Sequence, residues 1–312
     1  MDLSVLRTAG HEEAAAFFAD ADPEALVAAV SATGDDELLA LIGRDEIRPA
    51  AIEGILGRLH EYAVPDRLAL LHGTVRIDLE RRGRLLERHG LRFAGGEIEL
   101  LPHLSGQEPV DVVLRTSILR FVRLVSGERN AGLEYLSGKL DIEGDAVLAL
   151  AVGGMFRVPG TTGVAVDPTA LDPVEVATVL KDAPRDHLKR VMASGFRPIV
   201  LGEVFRRLPD FVDPVRAADV ELAVGFRMLG NPTGEVERYL VRVSGGVATV
   251  TTGDQGERRD ATVTCESHDF VRLATGHMNP VAGVIKGQLK VKGDKAKALQ
   301  LTSVIDIPHS RD

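Results

Sequence analysis

The sequence predicts an α+β fold built twice, as two tandem domains that each lay helices over one face of a sheet behind a helical leader. The first observation behind this is an internal repeat. Phe121–Leu150 lies over Phe270–Leu299 without a gap, with Phe-Val-Arg-Leu at 121–124 on Phe-Val-Arg-Leu at 270–273. Gly127 falls on Gly276, Asn130 on Asn279, Gly138 on Gly287, Leu140 on Leu289 and Gly144-Asp145 on Gly293-Asp294. A repeat of that length sets the boundaries before any element is assigned. The second observation is a change of period within each copy, from helical spacing to strict alternation. The third is a recurring proline at helix starts, Asp22-Pro23 with Asp172-Pro173 and Arg48-Pro49 with Arg197-Pro198.

The repeat reaches upstream of its best-kept block. Leu91–Gly96 matches Val241–Gly246, and Ile52, Ile55, Leu56, Leu59 and Tyr62 correspond to Leu201, Val204, Phe205, Leu208 and Phe211. Two copies are too few for a solenoid, and each is long enough to hold its own core. The expected organisation is an N-terminal extension over 1–21, a first leader and domain over 22–155, and a second leader and domain over 172–312. A Pro- and Gly-bearing linker over 156–171 separates them.

In order along each copy, an aspartate before proline reads as a capped helix start, because proline's missing N–H costs nothing at the first helical position. After Arg48-Pro49, the apolar residues at i, i+3, i+4 and i+7 predict an amphipathic helix packed on the domain. Tyr239, Val241 and Val243 then alternate with arginines, Gly245-Gly246 marks a tight turn, and Ala248 and Val250 continue on the other side. Ala261–Cys265 reads as a strand and Asp269–Gly276 as a helix closing on glycine. A short helical segment follows Asn279-Pro280. Gln288–Lys292 reads as a strand, and Lys295–Ile305 as a last helix.

Composition excludes several functions. A net charge of −9 over 312 residues lacks the cationic footprint of a nucleic-acid protein. Apolar runs are short and broken by charge, so no span is expected, and the N-terminal residues lack a signal-peptide pattern. One cysteine offers no internal disulfide. These traits predict a cytoplasmic protein, and an Arg-, Ala-, Gly- and Val-rich composition suggests a GC-rich bacterial genome. No histidine pair has metal spacing, and neither a nucleophile elbow nor a phosphate loop is present in the sequence. We therefore expect neither an enzyme nor a cofactor.

The block from Asp260 to Asp294 resembles the sterol carrier protein type 2 family. It runs through Asp260–Cys265, Asp269–Gly276, Met278-Asn279-Pro280 and Ile285–Asp294, a strand, a helix closing on Thr-Gly, an Asn-Pro and a Gly-x-Leu-x-Val-x-Gly-Asp. The first copy departs from it, with Ala131 at the proline, Ser137-Gly138 for Lys-Gly, and Glu134 and Tyr135 inside the apolar segment. The resemblance implies a five-stranded sheet and, between sheet and helices, an apolar cavity for sterols, fatty acids or fatty acyl-CoA. In the second copy the candidate lining is Phe226, Met228, Val263, Cys265, Phe270, Leu273, Met278, Val284, Ile285, Leu289 and Leu299. In the first it is Ile77, Leu114, Phe121, Leu124, Leu133, Leu136, Leu140 and Leu150. The second copy, closer to the family pattern, is expected to be the better binder.

The same residues also read as closed cores, which would leave a structural or docking protein whose helical leaders contact a protein partner. An accessory protein presenting a hydrophobic substrate to a biosynthetic enzyme is a third reading. Arg123 and Arg272 suit a ligand carboxylate or, more commonly, a structural one. Cys265, alternating with Val263, is expected to be a buried, inert thiol. Lys286, Lys290, Lys292, Lys295 and Lys297 replace Ser137, Asp141, Glu143, Ala146 and Leu148 of the first copy. They read as a solvated face or as a contact for anionic membrane or for a CoA phosphate.

Overall fold

The computed structural model describes residues 1–101, 104–157, 163–253 and 256–308. It divides into two compact units, Met1–Tyr135 with Lys139–Asp167, and Pro168–Asp312 with Leu136–Gly138. In the first unit, helices α1 (His11–Asp20), α2 (Pro23–Ala32), α3 (Asp35–Ile42), α4 (Arg48–Gly57), α5 (Leu59–Tyr62) and α6 (Pro65–Leu68) precede the sheet. Strands β1 (Gly73–Arg81), β2 (Arg84–Ala94), β3 (Glu97–Leu101) and β4 (Val112–Ser117) follow. Then come α7 (Ile118–Val125), α8 (Ala131–Leu136), β5 (Leu140–Gly144) and α9 (Ala146–Met155). The second unit runs α10 (Pro173–Lys181), α11 (Arg185–Met192), α12 (Arg197–Arg207), β6 (Leu222–Leu229), β7 (Glu237–Ser244), β8 (Val247–Thr252) and β9 (Ala261–Glu266). It closes with α13 (Ser267–Ala274), α14 (Pro280–Ile285), β10 (Leu289–Gly293) and α15 (Lys295–Val304).

Among the described residues each unit holds one mixed five-stranded sheet, ordered β3-β2-β1-β4-β5 and β8-β7-β6-β9-β10. The registers agree position for position. Ile77 pairs with Leu114 in parallel and Leu114 with Ile142 antiparallel, as Phe226 pairs with Val263 and Val263 with Val291. The Gly-Asp pairs of the repeat have a physical reason. Gly144 and Gly293 have φ of +99° and +93°, and a Cβ there would come within 2.1 Å of the Asp111 carbonyl oxygen and 2.4 Å of that of Asp260. Asp145 and Asp294 then cap α9 and α15, each accepting from two backbone N–H groups. An isolated bridge closes each unit, Ala63 with Phe156 and Val212 with Ile305. Of the expected linker, Phe156 and Arg157 pair within the first unit, and residues 158–162 lie outside the described residues.

The expected extension over 1–21 is itself structured. Leu3, Leu6, Ala14 and Phe18 join Leu38, Leu41, Ala50 and Val122 in a buried cluster, so these residues build a layer against α3, α4 and α7. A second cluster, with Ile52, Leu56, Val75, Leu79, Phe93 and Met155, fills the space between the first sheet and its helices.

Candidate functional site

In the second unit the space between sheet and helices is open. A cavity of about 350 Å³ lies among α10, α12, β6, β9, α13, α14, β10 and α15, within the roughly 300–1,000 Å³ range of small-molecule sites. Alternation along the strands sends Phe226, Val263, Leu289 and Val291 into it. Phe270 and Leu273 come from α13, Val284 and Ile285 from α14, and Ala298, Leu299 and Leu301 from α15. An aromatic group stiffens the wall. Phe205 stacks on Tyr239 at 3.7 Å and on Phe270 at 4.7 Å, and Phe226 meets both Phe205 and Phe270 edge-on at 5.6 Å.

Three ionisable side chains are among the lining. Arg207 donates to the carbonyls of Leu171 and Thr169 and lies 3.3 Å from Glu203, whose carboxylate also takes Arg206 at 2.7 Å. That pair is spent on itself and on the backbone. Lys295, at the start of α15, is exposed and has no hydrogen bond or ion pair among the described residues.

Of the residues singled out in the second copy, Phe226, Val263, Phe270, Leu273, Val284, Ile285, Leu289 and Leu299 line the cavity. Met228, Cys265 and Met278 do not. Met228 and Cys265 pair across β6 and β9 and are buried just where α13 begins to cover the strand ends. Burial, with Asp269 and Glu266 nearby, pushes the Cys265 thiol up to about 12, out of the reactive range. Met278 packs beside Gly283, where a Cβ would stand 3.1 Å from its sulfur. The leader contributes wall residues that the sequence reading left unassigned, among them Ile199, Val200, Val204 and Phe211. The amphipathic spacing after Arg197-Pro198 carried that signal.

The first unit arranges its counterparts differently. Ile77 and Phe121 belong to the buried core, and Leu114 packs against it. Leu140 is buried, while Leu124, Leu133 and Leu150 are half-buried. Leu136 ends α8 and groups with the second unit. Arg123 takes the structural role of the two considered. It bonds Asp35 at 2.7 Å, Glu128 at 2.8 Å and the carbonyls of Val30 and Thr33. Burial alone would raise the Glu128 carboxyl, but the Arg123 and Ser126 hydrogen bonds outweigh it and hold the group below its ordinary value. Arg272 reaches the His277 carbonyl at 3.4 Å, and its buried Nε has no partner among the described residues.

A second concavity in the second unit is polar, with Arg185, Lys189, Ser267, His268 and Asp269 at its wall. Asp269 pairs with Arg185 at 3.1 Å and takes Gln288 at 3.2 Å. Burial lowers the His268 imidazole, against the pull of Asp269. Among the described residues no cluster of His, Cys, Asp and Glu could hold a metal ion, and no helix is long and apolar enough to cross a membrane.

Comparison with known proteins assigns the two halves separately. Residues 52–157 match the SCP-2 sterol transfer family, and residues 211–311 match the family described as alkyl sulfatase C-terminal. Sterol carrier protein 2 of Arabidopsis thaliana is 40% identical over 65 residues, 20% of this chain and 51% of that protein. Its rat namesake is 32% identical over 79 residues, 25% of this chain and 14% of that protein. Hydroxysteroid dehydrogenase-like protein 2 of Xenopus tropicalis is 26% identical over 105 residues, 34% of this chain and 24% of that protein. The match thus spans about half of the Arabidopsis protein and a quarter or less of the other two. Among solved structures, sterol carrier protein 2 like 2 from Aedes aegypti is 21% identical with a TM-score of 0.29, over 35% of this chain and 95% of that one. The sec-alkylsulfatase Pisa1 from Pseudomonas sp. is 16% identical with a TM-score of 0.32, over 42% of this chain and 24% of that one.

The chain therefore carries an SCP2-like domain, and the family match lies in its first half. The sequence reading had expected the second copy to be the closer one. The second half instead matches the alkyl sulfatase C-terminal family.

Proposed function

We propose that this protein is a non-catalytic cytoplasmic carrier of apolar ligands, built from two tandem sterol-carrier-like domains behind helical leaders. The second unit is the binding unit. The observation that carries this reading is its cavity, about 350 Å³ walled by apolar side chains, with Glu203 and Arg207 satisfied by each other and by backbone. The shared strand order and register of the two sheets support descent of both from one unit. The SCP-2 family match supports the carrier role, and the alkyl sulfatase match favours an alkyl chain, as in a fatty acid or fatty acyl-CoA, over a sterol-like ring system. Ten buried methylenes would contribute about 8 kcal/mol at ~0.8 kcal/mol each, enough for micromolar binding before immobilisation costs.

Titration of the purified protein with a fluorescent fatty acid and a fluorescent sterol tests this. One fatty acid per chain is expected. Leu273→Arg, which puts an unpaired charge in the cavity wall, should abolish binding, and Leu124→Arg in the first unit should leave it in place once circular dichroism confirms folding. A wild-type protein that binds neither probe and carries no lipid from its expression host would refute the carrier. The leaders would then be the place to look for a protein partner.

One observation favours a second reading. Residues 211–311 resemble a segment that alkyl sulfatases carry at their C-terminus, so the cavity would present an alkyl substrate to a separate enzyme. Stimulation of such an enzyme by the wild type, but not by Leu273→Arg, would distinguish presentation from transport.

A further inference from the structure

The wall of the second unit's cavity includes exposed residues of α14 and α15, and this part of its rim has an unusual composition. Ile285 is 80% exposed and Leu299 44% exposed, although both also line the cavity. Most of the lysine of the chain lies close to them in sequence, with five of the eight lysines between positions 286 and 297. Arginine supplies nearly all the cationic side chains elsewhere. The single acid in that stretch, Asp294, spends its carboxylate on capping α15 through the N–H groups of Ala296 and Lys297. Lys297 donates to the Glu221 carbonyl at 2.6 Å. Lys286 and Lys295 are exposed and make no hydrogen bond or ion pair among the described residues, while Lys290 and Lys292 alternate with Leu289 and Val291 and so stand on the other face of the sheet.

The placement of two of these lysines opposes local stability. Lys295 and Lys297 occupy the first turn of α15, at the positive end of the helix dipole, where cations are disfavoured. At the same positions α9 carries Ala146 and Leu148, both buried. A local conflict of this kind marks a functional position more often than a structural one. Exposed aliphatics beside the unpaired Lys286 and Lys295 have the composition of a membrane-contacting surface. The aliphatics enter the acyl boundary while the ammonium groups extend along their stems to headgroup phosphates. The chain as a whole carries −9, so attraction to an anionic bilayer has to be local, within a Debye length of the patch.

We infer that the rim of this cavity docks on an anionic lipid bilayer, with Ile285 and Leu299 entering the interface and Lys286 and Lys295 meeting lipid phosphates. The purpose of docking, to move a ligand between bilayer and cavity, rests on the carrier reading. The docking itself rests on the surface.

Co-sedimentation of the full chain with vesicles of phosphatidylcholine, alone or mixed with phosphatidylglycerol, tests it at low and high salt. Binding to the anionic vesicles at low salt is expected, with loss at high salt. Lys286→Glu, which reverses a full charge at the rim, should weaken it about tenfold, since each unit of charge near the surface matters on that scale. Ile285→Asp should weaken it as well. Lys286→Glu, which is not part of the cavity wall, should still bind fluorescent fatty acid in vesicle-free buffer, which separates a failure of docking from a failure of the carrier. No vesicle binding at low salt, or equal binding to neutral and anionic vesicles, overturns the inference. So does light scattering that shows a dimer which Ile285→Asp converts to monomer while vesicles are ignored, because a second copy would then be the occupant.

Discussion

Arg123 and Arg272 stand at the same place in two identical Phe-Val-Arg-Leu segments, yet only the first is fastened. Arg123 ties α7 to the leader through Asp35 and the Val30 and Thr33 carbonyls, and to the next turn through Glu128. Where the first unit has Glu128, the second has His277, which offers Arg272 only a carbonyl. The contrast continues one helix later. Glu134 is buried in α8, bonded by Arg129 at 2.9 Å and faced by Arg120 at 3.3 Å. The matching residue of α14 is Gly283, pressed against Leu289 and Met278. The same backbone thus holds its covering helices by charge in one unit. In the other it holds them by apolar contact around an open space, and that difference separates a scaffold from a candidate binding site.

The largest expected effect tests the fastening directly. Arg123→Ala leaves Asp35 and Glu128 without their cation and two carbonyls without a donor, and should cost about 3 kcal/mol in chemical denaturation. Arg272→Ala should cost about 1 kcal/mol or less, because it removes one long hydrogen bond. Equal losses would mean that the two arginines do the same work and that the comparison is wrong.

Acid gives the next effect. In the first unit, burial works to raise Glu87 and Glu128, but His89 3.6 Å away and the Arg48 hydrogen bond at Glu87, and the Arg123 and Ser126 hydrogen bonds at Glu128, outweigh it, and both stay below the ordinary value of 4.5. In the second unit Arg197 does the same for Glu237 against its burial. A carboxyl depressed in the folded state stabilises above the unfolded value and loses that contribution as pH falls through the folded one. Both units should therefore weaken as pH drops below about 4.5, with the first, where Asp2, Glu61, Glu87 and Glu128 are depressed against Asp213 and Glu237 in the second, melting earlier in calorimetry. Glu128→Gln should flatten its acid slope. A first unit that outlasts the second in acid would break the comparison from the other side.

The repeat was legible because its fixed points are backbone requirements. Gly144 and Gly293 must adopt positive φ beside a carbonyl, and Asp145 and Asp294 must cap, so the same letters stand at both places. The cavity was legible only as a face. Alternation puts Phe226 with Met228, and Val263 with Cys265, on one side of the sheet. Which of them meets a void depends on where α13 and α14 lie across from them, and periodicity carries no information about that. The leader walls were missed because the family resemblance stops short of them, although Val204 sits at the spacing that predicted the helix. The N-terminal layer had its own signal, Ala14 and Phe18 at i and i+4, but without a second copy to set beside it. Glu134 stood out in the sequence as a charge within an apolar segment. Its partners, Arg120 and Arg129, come together only in three dimensions.

The smallest effect separates stability from function at one residue. Lys295 is an exposed cation in the first turn of α15, where a negative charge would suit the helix dipole better, by about 0.3–1 kcal/mol in comparable surface positions. Lys295→Glu should therefore raise the melting temperature of the second unit slightly, by about 1–2 °C given the usual scaling for a domain of this size. The matching change in the first unit, Ala146→Glu, replaces a buried residue and should lower stability instead. If Lys295 were an ordinary surface residue, its reversal would be a small gain with no cost. If the rim docks on anionic lipid, the same variant should gain stability and lose vesicle binding together. Opposite signs in those two measurements are what a residue kept for function against the preference of its own helix has to show. A variant that loses both stability and binding would place Lys295 in the fold, and the contrast between α9 and α15 would then have no functional meaning.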